Sequence, residues 1–161
     1  TQFCLSHPKR VIKLILSSPL LSTQKWIEDC NHLLQAIKSN LRVDADIKDE
    51  FEKRHFCLNK EATDFNAVRA DEQINFYMSA CGDPVIRTFW GPFYLRLFPR
   101  LDRISASTLL ICGDNDTATP STLQNAKDRI GLNAQLKVLS NAGHKTYIDR
   151  NEQFIEIINT F

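Results

Sequence analysis

The order of apolar and polar positions divides the chain into segments of different period. Phe3 and Cys4 fall close to one helical face and Pro8 forbids continuation, so residues 1–8 read as the end of a helix. Val11–Leu16 is a β-branched apolar run ending at Ser17-Ser18-Pro19, the pattern of a largely buried strand in a parallel sheet. From residue 23 the period becomes helical. Trp26, Cys30, Leu33, Leu34 and Ile37 form one stripe, with Lys25, Glu28 and Asp29 elsewhere around the helix. Ile47, Phe51, His55 and Leu58 form a second stripe, and Ile74, Tyr77, Met78 and Cys81 a third, with no strand between them. After Leu101 the pattern changes again. Ser107–Cys112 reads as a buried strand opening into Gly113-Asp114-Asn115-Asp116. Thr119 and Pro120 then cap and start a helix whose inner face carries Leu123, Ala126 and Ile130. Ala134, Leu136 and Val138 alternate with Gln135 and Lys137, as in a strand wet on one face and near a sheet edge. The last helix places Phe154, Ile157, Ile158 and Phe161 on one face, and Asp149 with Glu152 resembles a capping box at its start.

Strands that alternate with helices predict a short parallel α/β sheet with flanking helices. Residues 1–20 and 101–161 form its core, and residues 21–100 are a helical cap inserted after the first strand. The 161 residues suffice for a packed core, and 20 basic against 19 acidic side chains leave no charge excess to attract nucleic acid. No apolar stretch approaches the roughly 20 residues of a membrane crossing. The five cysteines are odd in number, dispersed and without a Cys-x-x-Cys, which fits reduced thiols in the cytoplasm. His55 and Cys57 have no second ligand pair at zinc spacing and read as packing residues, so neither a metal nor a cofactor is indicated. Thr1 stands where a Met would open a gene product and no charged-then-apolar leader follows; the chain reads as starting downstream of its gene's own start.

Ligands of open α/β sheets gather at the carboxyl ends of strands. Here those ends offer Ser17 and Ser18, then Asp114 and Asp116, then His144 behind Gly143, which would give the tight exit that His144 needs. An acid after one strand and a histidine after the next is the order that closes a nucleophile–acid–base triad. The acid would fix the imidazole tautomer, and the histidine would act as general base and then acid. Ser17 and Ser18 run from an apolar strand into proline and read as cleft lining; Asp114 reads as a supporting loop residue.

The segment Arg100-Leu101-Asp102-Arg103-Ile104, then Thr108-Leu109-Leu110-Ile111-Cys112-Gly113-Asp114-Asn115-Asp116-Thr117-Ala118-Thr119-Pro120 and Asn141-Ala142-Gly143-His144, resembles the carboxyl-terminal portion of an α/β-hydrolase. Within that superfamily the chain is most similar to the proline iminopeptidases. His7-Pro8-Lys9-Arg10-Val11, Leu16-Ser17-Ser18-Pro19-Leu20, Trp26 with Glu28-Asp29, Arg54-His55-Phe56-Cys57 and Trp90-Gly91-Pro92 resemble segments of that family in the same order. The resemblance implies a partial α/β-hydrolase fold, Asp116 as triad acid, His144 as triad base, and Trp90 and Tyr94 as substrate-binding residues. Tyr94 stands where the family commonly places a Glu that pairs with a substrate's amino group, and Leu58 where an Arg is usual. The family's nucleophile lies in a Gly-x-Ser-x-Gly elbow, and this chain contains no such sequence. Two functions follow as expectations. One is the carboxyl-terminal part of a serine hydrolase that releases amino-terminal residues, proline preferred, from short peptides, inactive as this chain alone. The other is a non-catalytic domain that acts as an interaction or complementing half. An unpaired first strand further predicts a homo-oligomer or a complementing chain.

Overall fold

The computed structural model describes residues 1–40, 47–59 and 97–161. The third helical stripe, Trp90 and Tyr94 lie outside the described residues. Among those described, the strands and α-helices are α1 (Gln2–Ser6), β1 (Lys13–Ser17), α2 (Thr23–Lys38), α3 (Ile47–Phe51, continued by a π-helical turn, Glu52–Phe56), β2 (Ser107–Gly113), α4 (Pro120–Ile130), β3 (Ala134–Leu139), α5 (Thr146–Asp149) and α6 (Asn151–Thr160), with short 3-10 turns at Pro8–Arg10, Phe98–Arg103 and Gly131–Asn133. The three strands form one parallel sheet in the order β1-β2-β3, with Leu14 opposite Thr108 and Leu110 opposite Leu136. Among the described residues, no helix is long and apolar enough to cross a membrane.

The central strand explains the layers. Leu109 and Ile111 point to one face, where Phe154, Ile157, Ile158 and Phe161 of the α6 region cover them. Leu110 and Cys112 point to the other, against Cys4 and Leu5 of α1 and Leu123, Ala126 and Ile130 of α4. Leu109, Leu110 and Ile111 are at most 1% exposed, and burial of each contributes on the order of 2 kcal/mol. Thr119 caps α4 as expected, its hydroxyl accepting from the Thr122 amide at 3.3 Å.

Several expectations are corrected. β1 is not largely buried: its residues alternate between exposed and half-buried, with Ile15 39% exposed, because only β2 flanks it among the described residues. Phe3 turns outward and stacks on His7, leaving Cys4 and Leu5 as the inner residues of α1. β3 lies at the sheet edge as its alternation predicts, but Val138 is exposed rather than packed. Asp149 makes no capping box; it ends α5, and α6 starts at Asn151 without a side-chain cap.

The helical segment between β1 and β2 has its own apolar cluster. Trp26, Ile27, Cys30, Leu34 and Ile37 of α2 pack with Phe51 of α3. Asp29, which the pattern sets off the apolar stripe, is nevertheless buried and joins α2 to the start of α4. Its carboxylate accepts from the Thr119 hydroxyl at 2.9 Å, the Thr122 hydroxyl at 2.5 Å and the Lys25 ammonium at 2.7 Å.

Candidate active site

The carboxyl ends of all three strands converge. Asp116, on the loop after β2, is 1% exposed, and its Oδ1 lies 2.9 Å from Nδ1 of His144, on the loop after β3. The carboxylate only accepts, so Nδ1 carries the hydrogen and Nε2 is left at the far edge of the ring. The Ala118 amide donates to Oδ1 at 2.8 Å, and the Ser18 hydroxyl to Oδ2 at 2.5 Å. A buried carboxylate is tolerable only with such donors. The Thr117 hydroxyl flanks the pair, 3.2 Å from His144 Nδ1.

Ser18 reaches the carboxylate because its backbone turns sharply after β1. Its φ is +45°, the left-handed region, and its amide still donates to the Ile111 carbonyl at 2.8 Å. Ser17 is engaged elsewhere, 3.3 Å from the Thr146 hydroxyl. The sequence presents both as cleft lining; Ser18 is more than that, and its placement at a strand's carboxyl end is the signal that could have shown it.

Asp114 supports the histidine's loop. Its carboxylate accepts from the amides of Asn141 at 2.9 Å and Ala142 at 3.1 Å. Burial acts to raise its pKa, but these bonds outweigh it and hold the carboxyl below its ordinary value. Gly113 is required by the same approach: a Cβ there would stand 2.0 Å from the Ala142 carbonyl oxygen. Burial, then the charges of Asp116 and Asp114, push the neighbouring Cys112 thiol up to about 12.

Gly143 serves close approach rather than a special φ. A Cβ on it would meet the His55 carbonyl and the Phe56 backbone at 3.0 Å, because the backbone that follows α3 crosses directly over it. Across that crossing the His144 amide donates to the His55 carbonyl at 3.0 Å and the Lys145 amide to the Phe56 carbonyl at 2.9 Å. The Phe56 ring stacks on the His144 imidazole with centroids 5.6 Å apart. Asp149 completes the junction: Oδ1 accepts from the Leu58 and Asn59 amides, Oδ2 from the Gly143 amide at 2.8 Å. Sequence reasoning missed this set, since its donors are backbone amides.

His55 and Cys57 have partners of their own. His55 Nδ1 donates to the Asn115 carbonyl at 2.8 Å, and burial, the largest influence, holds its pKa below the ordinary value. Burial, then the Asp149 carboxylate, push the Cys57 thiol up to about 11. A cavity of about 380 Å³ opens beside His55, Leu58 and Asn115, but neither Asp116 nor His144 lines it.

Comparison with known proteins gives the arrangement a context. No family model matches the chain. The proline iminopeptidase of Lactobacillus crispatus is 21% identical over 96% of the chain and 58% of its own length. That of Heyndrickxia coagulans is 23% identical over 99% of the chain and 61% of its own length. The chain thus spans about three-fifths of the length of the curated relatives it matches. The crystal structure of proline iminopeptidase from Mycobacterium smegmatis superposes with a TM-score of 0.72 at 19% identity, covering 99% of this chain and 59% of that one. An N-acyl homoserine lactone degrading enzyme superposes with a TM-score of 0.62 at 22% identity, over 99% of this chain and 61% of its own. The chain therefore has the fold of part of an α/β-hydrolase, and its similarity to proline iminopeptidases runs along nearly all of its length.

Proposed function

We propose that this chain supplies the acid and the base of a serine hydrolase of the proline iminopeptidase type, acting on the amino-terminal residue of short peptides. The observation that carries the reading is the 2.9 Å contact between buried Asp116 and His144 at the ends of adjacent parallel strands. In it, Asp116 keeps Nδ1 protonated and offsets the imidazolium charge. His144 Nε2 takes the proton of a serine hydroxyl as it attacks the acyl carbon, then gives it to the leaving amine. No Gly-x-Ser-x-Gly is present in these 161 residues, and Ser17 and Ser18 are bonded to Thr146 and Asp116. The nucleophile then comes from a segment outside this chain, and the chain alone forms no acyl-enzyme. Trp90 and Tyr94 complete the reading as substrate-binding residues; a phenol at 94 offers an ammonium group an acceptor without a counter-charge. Five dispersed cysteines without a Cys-x-x-Cys support a cytoplasmic setting.

A fluorophosphonate reagent tests this. The purified chain stays unlabelled, and adding a hydrolase segment that carries Gly-x-Ser-x-Gly restores labelling of that segment's serine. Asp116→Asn slows the restored labelling on the order of 10⁴-fold. Stoichiometric labelling of a serine in the chain alone overturns the proposal. A second reading, a non-catalytic interaction half, is favoured by the exposed Ile15 in β1 and Ile12 just before it, β1 having only β2 beside it among the described residues, an edge suited to a second copy or a complementing chain. Labelling that never appears with the added segment selects it.

A further inference from the structure

The two oxygens of Asp149 serve two different parts of the chain. Oδ1 accepts from the segment after α3, at the Leu58 amide (2.9 Å) and the Asn59 amide (2.8 Å), while Oδ2 accepts from the Gly143 amide (2.8 Å), one residue before the histidine. Between these contacts lie the two backbone bonds from His144 and Lys145 to the His55 and Phe56 carbonyls. The segments are packed closely there: a Cβ on Gly143 would stand 3.0 Å from the His55 carbonyl and the Phe56 backbone. The Phe56 ring, carried by the same crossing segment, lies flat on the imidazole at an interplanar angle of 15°.

We propose that Asp149 is a positioning residue for His144: by clasping residues 58–59 to the histidine's loop, it holds the imidazole on Asp116. The inference rests on the reading of Asp116 and His144 as a functional pair, but its test needs no turnover. Asp149→Asn keeps the shape and replaces one acceptor oxygen by an NH₂ group, so one arm of the clasp faces a donor instead of an acceptor.

The experiment follows the low-field Nδ1 proton of His144 by NMR in the unsubstituted chain, in Asp116→Asn and in Asp149→Asn, with amide hydrogen exchange measured beside it. Asp116→Asn erases the resonance. Asp149→Asn leaves the fold intact and speeds exchange of that proton about tenfold, the equivalent of one lost hydrogen bond. Faster exchange at the Gly143 and Asn59 amides with an unaltered Nδ1 proton marks a merely structural contact and overturns the clasp. A resonance absent from the unsubstituted chain overturns the Asp116–His144 pairing, and the clasp with it. If Asp149→Asn does not fold, the unsubstituted chain decides: the Leu58, Asn59 and Gly143 amides share one opening rate, and separate rates overturn the proposal.

Discussion

The strand-end loops and the helical segment between β1 and β2 reach the same histidine by different means. From the strands come side chains: Asp116 on the imidazole, Ser18 on Asp116, Asp114 on the turn before His144. The helical segment supplies mainly backbone, the carbonyls of His55 and Phe56 and the amides of Leu58 and Asn59. Chemistry placed by side chains leaves a trace in residue type. Support placed by backbone leaves almost none, and the one side chain that accepts from its amides, Asp149, is of a residue type that suggests a different task.

Three substitutions or conditions probe the difference, beginning with the largest effect. Gly113→Ala forces a Cβ against the Ala142 carbonyl, a contact that only a backbone shift relieves. A loss of about 4 kcal/mol in urea unfolding is expected, with the whole sheet destabilised. Asp29→Ala strikes the helical segment, leaving the buried Thr122 hydroxyl without its acceptor and the Lys25 ammonium without its closest carboxylate. About 2 kcal/mol is expected, and α2 amides then exchange faster than those of β2. Equal acceleration in both elements would mean the two regions unfold as one unit.

The smallest effect is one of pH. His55, beside α3, has a folded pKa below its ordinary 6.5, so the unfolded state takes up the proton first and stability falls as pH drops below about that value. Asp114, on the strand side, is held below 3.8, so its contribution persists until more acid conditions and is lost only as pH falls through its folded value. Comparing unfolding midpoints of the chain with those of His55→Gln and Asp114→Asn separates the windows. His55→Gln flattens the profile near about pH 6, and Asp114→Asn flattens it only near about pH 4 and below.

Much of the strand side was legible. The apolar run at Ser107–Gly113, the cap at Thr119 and the inner face of α4 follow from period and turn chemistry, and the order of acid and histidine points to the pair. What failed did so for physical reasons. Asp29 is charged and lies beside the apolar stripe, so pattern alone turns it outward; three donors make its burial possible. Asp149 stands where a cap would stand, yet two of its donors are 90 or more positions away along the chain. The apolar run of β1 reports what a neighbour could cover, not what covers it here.

Ser18 has one more consequence. Its left-handed backbone is strained for any residue with a Cβ, at roughly 1 kcal/mol, and glycine would adopt it without that cost. Glycine would also remove a donor from the buried carboxylate. The hydroxyl thus offsets the strain of its own backbone, since leaving the buried carboxylate one donor short costs about 1–3 kcal/mol. Ser18→Gly would exchange a relaxed turn for a less well-bonded carboxylate, with little net gain in stability.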